Sequence, residues 1–226
     1  MLFVLTIIWK IIASFLILLL VAFVIGFFRL FILGPRQKYL DPIKDSSILK
    51  KGDIILTGKQ SVGYSWYIQV SNVLTRKIKH RFWTHAAIYQ GNGKVWEAQP
   101  VGVIEKDLDE YFKNGFLVRA FRHKYIQDEN VLDRIIQFCA GKKGYSYGKI
   151  GAVFYALSTF MPVSFNWIFD QSWVDRLLNL DNAYFCSELI VDAFEAAKYP
   201  ISSYDGWRVK PTDFISNPLL LPISVK

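Results

Sequence analysis

At 226 residues the chain has room for one domain of ordinary size and an appendage. The formal net charge is +8, but Lys10, Arg29, Arg36 and Lys38 lie in residues 1–40, which hold no acidic residue, so the remainder carries only +4. That surplus argues against nucleic acid as a partner. Two cysteines, Cys139 and Cys186, make no disulfide framework, and three histidines without paired spacing argue against a zinc site. No metal and no cofactor is expected.

Residues 1–33 are almost wholly apolar, and Ile11–Phe28 is an uncharged run between Lys10 and Arg29. Such a run is long enough for a tilted membrane-spanning helix whose flanking cations snorkel. The expectation is an N-terminal membrane anchor and connector over 1–40 and a globular domain over 41–226. The chain would be single-pass, with the membrane as a partner. Arg36, Lys38, Lys44, Lys50 and Lys51 follow the apolar run and bias the domain weakly towards the cytoplasmic side.

After Gly34-Pro35 a polar connector leads to a short buried strand, Ile54-Ile55-Leu56. Val62–Thr75 has helical spacing. Strand-like segments follow at Phe82–Gln90, Lys94–Gln99, Gly102–Glu105 and Phe116–Arg122, interrupted by an acidic helix over Lys106–Phe112. Glu129–Ala140 reads as a helix that buries Cys139, and further helical patterns lie near Ile150–Thr159 and Trp173–Leu180. An aromatic-rich stretch over 158–180 fits either a helical hairpin or a cleft lid. A proline-punctuated extended tail ends the chain. Strands in the middle with helices before and after predict an α+β domain, helices packed on an antiparallel sheet.

Asp181–Lys198 reads as a helix with Asp181 or Asn182 as N-cap, which puts Cys186 in or near the first turn. Cys186, Leu189, Ile190, Ala193 and Ala197 share an apolar face; Ser187, Glu188, Asp192, Glu195 and Lys198 share the other. A thiol at a helix N-terminus is a sensible nucleophile, because the dipole favours thiolate and free backbone N–H groups can receive an oxyanion. Taken alone, Cys186 fits a core cysteine better than a nucleophile.

Thr84–Gln90 and Lys94–Ala98 flank Gly91-Asn92-Gly93, the signature of a hairpin. With a loop of odd length centred on Gly91, His85 lies directly opposite Glu97 on one face; an even loop puts them on opposite faces. A carboxylate beside a histidine fixes the ring tautomer and leaves the other nitrogen to take a proton from a thiol. Cys186, His85 and Glu97 thus supply nucleophile, base and orienting group. The G-x-S-x-G string at Gly144–Gly148 is a decoy, since no histidine follows it.

Gly52-Asp53-Ile54-Ile55, Thr84–Tyr89, Val95–Ala98, Tyr184–Leu189 and Lys210–Phe214 together resemble the circularly permuted papain-like branch of the NlpC/P60 superfamily, in particular its YiiX/YaeF-type amidases. The resemblance spans roughly Gly52 to Leu220. It implies a papain-like fold with the histidine strand first and the cysteine helix last. It also implies Cys186 as nucleophile, His85 as base and Glu97 as third member, cleaving an amide, ester or thioester in a peptide, amide or lipid substrate through an acyl-enzyme. Lipid acyl transfer or deacylation, as in the lecithin:retinol acyltransferase-like branch, and a non-catalytic binding module on the same fold are the alternatives.

Overall fold

The computed structural model describes residues 42–59, 78–147 and 183–224, with Ile68, Gln69, Asn72 and scattered residues between 6 and 28. Among the described residues eight strands run in chain order: β1 (Ile54–Gly58), β2 (His85–Gly91), β3 (Lys94–Gln99), β4 (Gly102–Asp107), β5 (Leu117–His123), β6 (Ser146–Tyr147), β7 (Ala183–Tyr184) and β8 (Leu220–Ile223). The α-helices of described bounds that accompany them are α1 (Asp109–Lys113), α2 (Glu129–Gly141) and α3 (Cys186–Ala196). Six strands form one antiparallel sheet in the order β4-β3-β2-β1-β5-β8, and β6 and β7 form a small parallel pair.

β1 and β2 lie at the centre, which explains the unbroken apolar run of Ile54-Ile55-Leu56: a strand covered on both faces has no polar face to show. One face carries Ile54, Leu56, Ile88, Trp96 and Phe121 under Ile135 of α2 and Leu189, Ile190 and Phe194 of α3. Ala86 and Ala98 are small where the helices approach. The other face carries Ile55, Ala87, Tyr89, Val95 and Val118, closed by Ile43, Leu49 and Tyr111 of α1. Arg122 at the end of β5 makes a two-pronged ion pair with buried Asp53, Nε to Oδ1 at 2.8 Å and a terminal nitrogen to Oδ2 at 2.7 Å, tying β5 to the entrance of β1.

Several expectations need correction. No helix among the described residues is long and apolar enough to cross a membrane, so the N-terminal transmembrane helix, the single-pass membrane localisation and the membrane partner are withdrawn. Spanning needs about 20 consecutive apolar residues in one helix. Lipid acyl transfer had drawn its motive from that anchor. β4 runs on to Asp107, so the acidic helix starts at Asp109 rather than Lys106. The tail contains a strand, β8, whose Pro222 fits the edge of the sheet, where no ladder hydrogen bond is lost. The helical patterns near 150–159 and 173–180, and the stretch 158–180, lie outside the described residues, as does most of Val62–Thr75.

α3 also departs from expectation. It begins at Cys186 itself, with extended Phe185 as N-cap and Ala183–Tyr184 in β7. Glu188 Oε2 accepts the Phe185 N–H at 2.8 Å, satisfying one orphan donor of the helix start. Ser187 is fully buried and donates its hydroxyl to the Val209 carbonyl, so the supposed polar face is covered. The turn Gly206–Arg208 lies against it: a Cβ on Gly206 would come within 2.6 Å of the Asp192 carboxylate. Burial pushes the Glu188 carboxyl up to about 7 and that of Asp192 up to about 6, each raised further by acidic neighbours. Folded Asp192 therefore keeps its proton at pH values where the unfolded chain has released it, and stability falls as pH rises from 3.8 towards about 6. Asp192→Asn is expected to be more stable than the parent near neutrality, with the difference vanishing below 3.8; urea unfolding across that range measures it.

Candidate active site

β2 and β3 decide what His85 and Glu97 can do together. Asn92 (φ 53°) and Gly93 (φ 75°) form a two-residue turn with both residues left-handed, the conformation that matches strand twist. Next to it Gly91 faces Lys94, but further along Tyr89 faces Val95 and Ile88 faces Trp96: a bulge at Gln90 shifts the register. Without the bulge Glu97 would sit opposite Ile88, on the face away from His85. With it Glu97 sits opposite Ala87, and His85 is its diagonal neighbour on the same face. The expected odd-length loop is thus replaced by an even turn plus one extra residue. The shared face survives, whereas the direct opposition does not.

The side chains meet accordingly. His85 Nε2 is 2.9 Å from Glu97 Oε2, and Glu97 is fully buried while the His85 side chain is 20 % exposed. The Tyr111 hydroxyl also donates to Oε2, and Gln99 Nε2 donates to Oε1 at 2.5 Å and to the Tyr111 hydroxyl at 3.1 Å. An unpaired carboxylate in this position would cost several kcal/mol; three donors on its two oxygens offset that. Nε2 is engaged by Glu97, and Cys186 is the other side chain whose interaction raises His85, so the first residue of β2 lies beside the first residue of α3.

The electrostatics follow from these contacts. Burial alone would pull the His85 imidazolium down, but hydrogen bonds to Cys186 and Glu97 outweigh it and raise the pKa from 6.5 to about 10. Burial would push the Glu97 carboxyl up, and His85 and Tyr111 reverse this and hold it below its ordinary value. Burial and the adjacent Glu97 charge push the Tyr111 phenol far up, so it remains a donor. Cys186 is buried beside Ile68, Phe185 and Tyr147 at the N-terminus of an eleven-residue helix, where the dipole favours negative charge. Cys139 is a contrast: it is buried in α2, and burial alone pushes its thiol up.

Tyr111 and Gln99 are the members that sequence reading missed. Gln99 lies two residues beyond Glu97 on the same strand, a spacing that puts both on one face and was available as a signal. Tyr111 sits in a five-residue helix with no motif around it.

No protein-family model matches the chain, and no curated protein matches it. Among solved structures it is similar to the crystal structure of the metalloprotein YiiX from Escherichia coli O157:H7, with a TM-score of 0.50 and 16 % identity over 78 % of this chain and 97 % of that one. The chain has the YiiX fold. YiiX is described as a metalloprotein, but the described residues here do not fit a metal: both Glu97 oxygens and His85 Nε2 are engaged, and no group of three His, Cys, Asp or Glu side chains able to hold an ion exists among them.

The raised His85 pKa carries a sign for stability. A charged histidine held by its partners contributes fully below 6.5, and the contribution is lost as pH rises through about 10. Glu97→Gln is expected to cost up to about 3 kcal/mol below that lower value. The difference from the parent should shrink towards the upper one, as read by denaturant unfolding.

Proposed function

We propose that the chain is a cysteine hydrolase that cleaves an amide, ester or thioester through an acyl-enzyme. The observation that carries this reading is the hydrogen bond from buried Glu97 to His85, a histidine whose charged form is favoured by both Glu97 and Cys186. His85, held in its charged form, keeps the proton that Cys186 gives up, and Glu97 at Nε2 fixes the ring and balances the imidazolium charge. The thiolate attacks the substrate carbonyl, and the free backbone N–H of Cys186 at the helix start stabilises the oxyanion. The leaving group departs with the proton held on His85. Water then attacks the thioester with His85 as base, releasing the acid and restoring the thiol. Tyr111 and Gln99 act as positioning residues, since they touch Glu97 and not the reacting atoms. The YiiX fold supports this reading at the level of architecture.

An electrophilic thiol probe at neutral pH tests it. Cys186→Ala is expected to abolish labelling at this site, and His85→Ala to slow it on the order of a hundredfold. An unchanged rate in His85→Ala would sink the activated-thiol reading. Tyr111→Phe removes one of three donors from Glu97 and is expected to slow labelling about tenfold. In a His85→Ala background the same change should add little, the mark of residues acting through one another.

A further inference from the structure

The place of Cys186 depends on β7, which ends two residues before it, and little backbone holds β7. That strand is two residues long and pairs in parallel with β6, itself two residues long. A ladder that short supplies few hydrogen bonds, so side chains have to fix it. Tyr184 of β7 packs its ring against Phe138 of α2 and against Tyr145, with centroids 6.4 and 6.0 Å away.

One cation stands over all three rings. Lys142 Nζ is 5.2 Å from the Phe138 centroid, 4.9 Å from that of Tyr145 and 5.5 Å from that of Tyr184. The backbone of Lys142 is itself fixed: it is the C-cap of α2, its N–H bonded to the Cys139 carbonyl at 3.1 Å, a position where the helix dipole favours positive charge. The same ammonium is felt on α3. Burial raises the Asp192 carboxyl and Glu195 adds to that, while Lys142 pulls the other way. A single charge therefore joins the end of α2, the turn before β6, β7 and α3.

We propose that Lys142 is a positioning residue for the nucleophile: its ammonium, enclosed by three rings, fastens Tyr184 to the end of α2 and so sets where α3 begins and how Cys186 lies beside His85. This rests on the reading of Cys186 as the nucleophile. What Lys142 supplies is alignment rather than the fold, because Leu189, Ile190 and Ala193 hold the body of α3 on the sheet without it. Attraction to a ring face needs positive charge, which arginine keeps and glutamine lacks.

Labelling of the full chain by iodoacetamide at neutral pH, read at each cysteine by mass spectrometry, tests this. Lys142→Gln is expected to slow labelling of Cys186 about fivefold, and Lys142→Arg to restore it to within about twofold of the parent. In a His85→Ala background Lys142→Gln should change the rate little, since the alignment it protects is the one between the two side chains. Cys139, buried in α2, serves as the control for general loosening and should stay unlabelled in every variant. The proposal is overturned by a parent-like rate in Lys142→Gln, by an arginine variant as slow as the glutamine one, by the full slowing without His85, or by labelling of Cys139. A parent that labels no faster than His85→Ala defeats the hydrolytic reading before any Lys142 variant is compared, so the two failures are told apart.

Discussion

One unpaired residue governs the chemistry available to this fold. The two-residue turn at Asn92-Gly93 taken alone would align β2 and β3 so that His85 and Glu97 point to opposite faces. Gln90, bulged out of the ladder, adds one step of register and returns them to the same face. A strand has a period of two, so the shift is all or nothing: no smaller adjustment brings the imidazole to the carboxylate. The sheet tolerates the bulge because it sits beside the turn, where few ladder hydrogen bonds remain to be lost.

Given that register, the site is a sequence of dependencies that run outward from the core. Glu97 is ionised in a fully buried position because Tyr111, Gln99 and His85 together outweigh its desolvation. His85 is charged with little exposure because Glu97 is charged. Cys186 meets His85 because α3 starts one residue after β7 and its apolar face, Leu189, Ile190 and Ala193, is held on the sheet by the main core. Each group is stabilised by the next one inward, so the least exposed member, the carboxylate, anchors the rest.

Much of this was legible before any coordinates. Alternating and continuous apolar runs located β1, β3 and β5 closely, because both faces of those strands are filled by side chains whose spacing is the strand's own. Cys186, His85 and Glu97 stood out as residue types, and a shared face for the last two depended on a turn whose parity the sequence left open. The bulge was not legible, since Gln90 carries no mark that distinguishes an unpaired strand residue from a paired one. Tyr111 was hidden for a similar reason: its role comes from a packing of α1 against the sheet that no local pattern encodes. Helical spacing placed Glu188 and Asp192 on the face away from Cys186 but could not show the later turn Gly206–Arg208 that packs against them. The N-terminal apolar stretch was read as a span from composition, and no helix among the described residues is long and apolar enough to be one.

The parallel pairing of β6 with β7 has a bearing on how this architecture can diversify. Ser146 aligns with Ala183 and Tyr147 with Tyr184, so the two ends of the span between them lie side by side. Both ends are fastened: the Val103 N–H bonds the Tyr145 carbonyl at 2.8 Å, and the Lys142 ammonium lies over the rings of Phe138, Tyr145 and Tyr184 at about 5 Å from each centroid. The entropy of closing a segment between two pinned ends grows only slowly with its length. A change in the length of the span 148–182 therefore carries only a small closure cost, and the two pinned strand ends give that span fixed points of attachment close in sequence to Cys186.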